Sequence, residues 1–392
     1  MKKIIFLFFF TNLIFGQLPT ISLNDLWNGK YNPVRLESIR SMKNGTNYTV
    51  LETAGQKATT TIMQYDFNKV SPGTIIISSG NHPEINSFSN YSFSKNEEKI
   101  ILETEVNPIY RRSKQAIYWV YDQKNKELQK ISDNKIQEPL FSPDATKIAY
   151  VFKRNLFVKD LVSQRKVQVT FDGDYKTLNG ISDWVYEEEF GFVRAFDWSP
   201  DSSAIVYMRF DETKVPIFSM DIYGKDVYQF PYRFRYPKAG EENSKITLHH
   251  FTLENRKKER IFFEGEVPYY IPRIKFEEGN NGLIIQTLNR HQNHLKVWRW
   301  SSKTSKMQLL LEEKDEAYVS IHDNLQFLED ATFLWTSERD GYNHVYHYDK
   351  NGAILNQVTK GNWEVTDLYG FNKKTKEIYY QSVEGSSTER GI

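Results

Sequence analysis

The sequence predicts an all-β protein built as a β-propeller of four-stranded blades. Three observations point there. A unit recurs along the chain in which a polar turn of the Ser-Pro-Asp type precedes a strongly alternating apolar run. Aromatic residues make up 15% of the 392, mostly Tyr and Phe, and these favour strands. No long amphipathic helical pattern competes.

The chain opens with MKKIIFLFFFTNLIFGQ, which has the build of a signal peptide. Lys2 and Lys3 supply the positive start, Ile4–Phe15 the apolar run, and Gly16 a small residue at the cut. The run falls short of the roughly 20 apolar residues that span a bilayer, so residues 1–16 are read as a cleaved leader and the protein as exported, periplasmic or extracellular. An uncleaved anchor is the alternative. Residues 17–38 (LPTISLNDLWNGKYNPVRLE and its flanks) do not match the recurring unit and precede the propeller, expected over 39–392.

The unit appears as SMKNGTNYTVLE from Ser41, SFSKNEEKIILETE from Ser92, LFSPDATKIAYVF from Leu140 and DWSPDSSAIVYMRF from Asp197. Weaker copies start at Ile274, Gln326 and Gly370. Seven copies at intervals of roughly 45 to 75 residues suit radial blades, each strand burying one face against a neighbour. The wide interval between Asp197 and Ile274 leaves room for one unmarked blade, so the expected count is seven to eight. Within that interval HHFTLENRKKERIFFEG, from His249, reads as strand, basic turn, strand. Arg256–Arg260 is accordingly a solvated hairpin turn and not a polyanion site. The sequence stops at SVEGSSTERGI, directly after the strand-like Glu377–Val383, and the last blade is expected to be incomplete.

Between the third and fourth copies lies Asn179–Gly191, NGISDWVYEEEFG. Three carboxylates in a row, Glu187, Glu188 and Glu189, serve no single face of a strand. On a short helical turn capped by Ser182 or Asp183, two of them lean toward one spot. Their repulsion there is relieved by a cation brought between them. A solvated acidic loop is the other reading.

Other chemistries lack their residues. With 51 basic and 50 acidic residues, no nucleic-acid partner is favoured, and with no cysteine there is neither disulfide nor thiolate metal site. His291 and His294 fall in a strand-like run, and the adjacent His249 and His250 point apart on a strand, so no metal is expected. No glycine-rich phosphate loop occurs, and no cofactor is expected. No G-x-S-x-G nucleophile elbow occurs either; Gly385-Ser386-Ser387 lacks the second glycine.

The string DWVYEEE, followed by FDWSPDSSAIVYMRFDETKVP, resembles the glutamate-bearing propeller region of the dipeptidyl peptidase IV family, as do KVPIFSMDIY and FPYRFRYPKAGEEN. The resemblance covers most of residues 20–380. It implies an eight-bladed propeller whose last two motif glutamates, Glu188 and Glu189 here, hold the α-amino group of a peptide. It implies that Arg111, in Tyr110-Arg111-Arg112-Ser113, reaches the peptide carbonyl. Trp184, Tyr186 and Glu187 are possible supporting residues, as is Tyr318, since no clear Phe-Arg pair marks the second aromatic–arginine contact of some members. The family's Ser–Asp–His triad sits on an α/β-hydrolase domain absent from this chain, which should be inactive alone. The segment 17–38 would pack on that domain, and without it Leu23, Leu26 and Trp27 are expected to be poorly ordered. The expected function is therefore substrate recognition for an exported serine exopeptidase releasing N-terminal dipeptides of the X-Pro or X-Ala type. Its partners would be peptides with a free N-terminus, the hydrolase domain and, in the intact enzyme, a second copy. A stand-alone peptide-binding or scaffold propeller is the alternative.

Overall fold

A computed structural model describes residues 20–33, 38–54, 59–263, 265, 267–277 and 282–392. The leader expected over 1–16 lies outside the described residues. Two compact units are distinguished, Met1–Thr53 with Thr61–Ile77, and Ala54–Thr60 with Ser78–Ile392.

Within the first unit, helix α1 covers Leu23–Trp27, the stretch expected to be poorly ordered. Ser22 starts it, its hydroxyl accepting the Asp25 N–H at 3.0 Å. None of its residues is buried, and Leu23, Leu26 and Trp27 all face solvent.

The propeller reading holds at the level of the recurring unit. Each of the seven copies forms the inner hairpin of a blade. The strands are Arg40–Ser41 with Asn47–Ala54, Asn90–Phe93 with Lys99–Pro108, and Gln137–Phe141 with Lys147–Phe152. Phe196–Trp198 with Ala204–Asp211, Tyr270–Phe276 with Gly282–Leu288, Gln326–Phe327 with Phe333–Ser337 and Val365–Asn372 with Glu377–Ser382 follow. Two outer strands extend each hairpin to an antiparallel sheet in the first six blades; the seventh has two strands.

One turn chemistry explains why the copies look alike. In the third blade the Ala145 N–H donates to the Ser142 carbonyl (2.8 Å), the Thr146 N–H to Asp144 Oδ1 (3.0 Å), and the Lys147 N–H to Ser142 Oγ (2.9 Å). The fourth blade repeats this with Ser202, Asp201 and Ser199. The residue after the aspartate adopts a left-handed backbone, φ 56° at Ala145 and 61° at Ser202, which an L residue tolerates when side-chain hydrogen bonds fix the turn.

Burial departs from the expected alternation. In Ala204–Asp211 all but Arg209 and Asp211 are buried, and every residue of Gly282–Leu288 is buried. These sheets are sandwiched between neighbours, so both faces pack. Trp198 Nε1 of the fourth blade donates to the Leu140 carbonyl of the third (3.2 Å), and Asp197 Oδ2 accepts the Phe276 N–H of the fifth (2.9 Å). Fully buried Tyr207, Phe210 and Ile205 belong to the largest core cluster, each large side chain contributing about 1.5–3 kcal/mol.

Among the described residues, the wide interval after Asp197 holds no extra blade. Lys245–Thr252 and Lys258–Ile261 complete the fourth blade, with the basic run in the turn and strand start between them. The rest is an arm, Ile217–Ile222 paired with Phe230–Arg235, inserted between the second and third strands of that blade. Its tip exposes Tyr223, Val227 and Tyr228, while Phe218, Phe234 and Tyr236 cluster at its base.

Candidate functional site: a glutamate helix clipped to an arginine loop

DWVYEEE forms a helical turn, α2, over Trp184–Glu189. Asp183 is its N-cap, with extended backbone and Oδ1 accepting the Tyr186 N–H at 2.9 Å. Ser182, the other capping candidate, instead donates its hydroxyl to the Phe192 carbonyl at 2.8 Å. Tyr186 faces inward and is fully buried among Phe190, Phe192, Phe210 and Tyr270, its hydroxyl accepting the Ile271 N–H at 3.0 Å. It supports the site from beneath and lines nothing. Arg273 closes the helix, donating to the Phe190 carbonyl at 2.8 Å.

The three glutamates then take three different positions. Glu187 is 1% exposed. Its Oε1 accepts the backbone N–H of Arg112 at 2.6 Å and of Ser113 at 2.8 Å, and its carbonyl accepts Arg112 Nη1 at 3.0 Å. Three bonds therefore clip α2 to the loop between Lys99–Pro108 and Lys114–Asp122, about 75 residues earlier in the chain. The loop is tight in itself, the Ile109 N–H donating to the Ser113 carbonyl (2.8 Å) and the Tyr110 N–H to Ser113 Oγ (3.1 Å). Glu188 lies beside Arg111, Oε2 accepting Nε at 2.8 Å. The arginine side chain is 71% exposed and the glutamate 19%, so the pair is open on one side and worth at most about 1 kcal/mol. Glu189 is exposed and, among the described residues, has no hydrogen-bond or ionic partner.

Arg111 and Glu188 are thus brought together from elements distant in sequence, with Glu189 the next residue along α2. Trp184 is half-buried with its ring 4.2 Å from that of Tyr236, at the base of the arm, and Phe234 of the arm lies 5.8 Å from Tyr110. Tyr318 is exposed, its hydroxyl donating to Gln292 at 3.4 Å. A cavity of about 1010 Å³ along Tyr270–Phe276 and Gln326–Phe327, with Glu277, Gln286 and Lys373 in its walls, includes none of the three site residues.

The family model described as "Dipeptidyl peptidase IV (DPP IV) N-terminal region" matches residues 94–392. The chain belongs to this family. Dipeptidyl peptidase IV relatives are correspondingly similar. A crystal structure of Porphyromonas gingivalis dipeptidyl peptidase 4 superposes with a TM-score of 0.86 at 33% identity, over 94% of this chain and 53% of that one. Human prolyl endopeptidase FAP is 27% identical over 394 residues, 91% of this chain and 50% of that protein. Dipeptidyl peptidase 4 of Felis catus is 28% identical over 325 residues, 76% of this chain and 42% of its own length. The chain spans about half the length of the relatives it matches.

Within this dipeptidyl peptidase IV propeller, the sequence pattern marked the acids and the arginine but not their braces. Two of the three bonds made by Arg112 and Ser113 come from backbone N–H groups, which every residue but proline has and no motif advertises. Tyr236, Ser244 and Arg273 were likewise invisible, because each is a common strand or loop residue whose partner is 50 or more positions away.

Proposed function

We propose that this chain is the substrate-recognition propeller of an exported serine exopeptidase of the dipeptidyl peptidase IV type. Glu188 and Glu189 hold the α-ammonium group of a peptide, and Arg111 takes the neighbouring carbonyl. A companion α/β-hydrolase domain then cleaves after the second residue, releasing X-Pro or X-Ala dipeptides. The observation that carries this reading is the open arginine–carboxylate pair, Arg111 with Glu188, next to a glutamate that has no partner. An α-ammonium, charged below its ordinary pKa of about 7.7–8.0, supplies the cation that Glu189 lacks. Glu187, tied to the loop, is not free to bind and acts as a clip. In the intact enzyme the exposed apolar tip of the arm is a surface for a second copy.

The test compares a peptide carrying a free N-terminus with its N-acetylated twin, by fluorescence polarisation on this chain. Each charge-assisted bond is worth roughly 1.5–3 kcal/mol, so acetylation should weaken binding about tenfold or more. Replacing Glu188 and Glu189 by Gln should abolish that discrimination. Equal binding of both peptides by the wild-type chain would leave it a scaffold propeller.

A further inference from the structure

The arm inserted in the fourth blade is mostly exposed, yet its root touches both halves of the amine anchor. Strand pairing sets Phe218 opposite Phe234 and Met220 opposite Tyr232, so these four share one face of the arm. Ile217 and Arg235 fall on the other face. At the root the first face closes into a triangle of rings, Phe218, Phe234 and Tyr236, with centroids 5.5 to 5.9 Å apart. Tyr236 meets Trp184 of α2 at 4.2 Å, and Phe234 meets Tyr110 at 5.8 Å. Trp184 lies one helical turn before Glu188, so the two side chains share one face of α2. Tyr110 directly precedes Arg111. The root is itself fixed to the blade. The Tyr236 N–H donates to the Pro216 carbonyl at 3.0 Å, and Arg235 Nη1 to the carbonyl of buried Val215 at 2.6 Å. Further along the same segment, the Ser244 hydroxyl donates to Oδ2 of Asp183, the cap of α2.

We propose that the root of the arm is a positioning element of the amine anchor. Tyr236 is the positioning residue for Glu188, acting through Trp184, and Phe234 that for Arg111, acting through Tyr110. This inference rests on the amine-anchor reading above. The Glu187 clip joins α2 to the loop mainly through backbone groups and so fixes where the loop sits. The side of α2 that carries Glu188 is set by what packs against Trp184 on that side. Anchor side chains that wander must be ordered when the peptide binds, and that ordering weakens affinity. Packing the supporting rings in advance removes the cost. Aromatic rings do this without adding a cation that would compete with the peptide amine for Glu188.

The experiment measures peptide affinity by fluorescence polarisation on the full 392-residue chain and its variants. The probe is an Ala-Pro peptide with a free N-terminus and fluorescein at its C-terminal end, with its N-acetylated twin as reference. Y236A removes the ring against Trp184 and should cut the ratio of the two affinities about threefold or more, by weakening the free-amine peptide alone. Y236F keeps the ring and should restore the wild-type ratio. F234A removes the ring against Tyr110, should lower the ratio likewise, and serves if Y236A does not fold. I217S alters the opposite face of the arm and should leave the ratio unchanged. A wild-type ratio in Y236A and F234A overturns the inference alone, as does an equal fall in I217S. Equal weakening of both peptides together with a lowered melting temperature makes the two rings merely structural and also overturns it. Absence of discrimination in the wild-type chain overturns the amine-anchor reading and this inference with it.

Discussion

Helices α1 and α2 are nearly the same length, begin on a side-chain cap, and contain a tryptophan and an aspartate or glutamate in the first turn. Leu23–Trp27 nevertheless buries nothing, with Trp27 86% exposed, whereas Trp184–Glu189 buries Val185, Tyr186 and Glu187. An isolated turn of five or six residues is unstable in water, since nucleation fixes several dihedrals for one hydrogen bond. Among the described residues α1 has its cap, its backbone bonds and one solvent-exposed ion pair, Lys30 with Asp25 at 3.1 Å, to offset that cost. α2 is additionally held by a buried aromatic below, a carboxylate clip at one side and Arg273 at its end. Only the second kind of turn can hold a charge at a defined place.

The comparison can be broken from its strongest side. Tyr186→Ala should destabilise the second unit by about 3–5 kcal/mol, through lost packing and an orphaned Ile271 N–H, in urea denaturation. Trp27→Ala in α1 should change stability by less than about 0.5 kcal/mol, and a comparable loss at both positions would refute the distinction.

Glu187→Ala comes next. It leaves the Arg112 and Ser113 N–H groups without their acceptor, at roughly 1–3 kcal/mol each. Because the clip also sets Arg111 against Glu188, the variant should lose free-amine discrimination at temperatures where it remains folded. Retained discrimination would show that the loop keeps its place unaided.

A purely local effect is expected at the first cap. Ser22→Ala removes the Asp25 N–H acceptor, worth about 1 kcal/mol to α1. Hydrogen exchange should show faster exchange at Asp25, with no change in the main melting transition.

Much of the fold was legible because each blade repeats one local solution. The alternating runs fall on inner hairpins in all seven copies, and the Ser-Pro-Asp turns of the third and fourth join theirs, since turn and strand pattern are both set by neighbours in sequence. The arm was missed for the same reason. Ile217–Ile222 and Phe230–Arg235 bury almost none of their length, so they carry no burial alternation to read, and the interval they fill suggested an eighth blade. Tyr186 and Tyr318 show the limit at the level of side chains. Both are tyrosines near plausible site segments, yet one is wholly inside the core and the other faces Gln292.

By itself the sequence determined the strand periodicity, the turn chemistry, and the presence of three consecutive acids after a serine–aspartate pair able to cap, because these depend on interactions a few residues long. Tertiary structure alone decided what each acid does. Glu187 became a clip because a loop 75 positions away presents two free N–H groups to it, Glu188 met Arg111 on the same loop, and Glu189 was left open to solvent. Identical side chains differ here only in which distant backbone the blades bring against them.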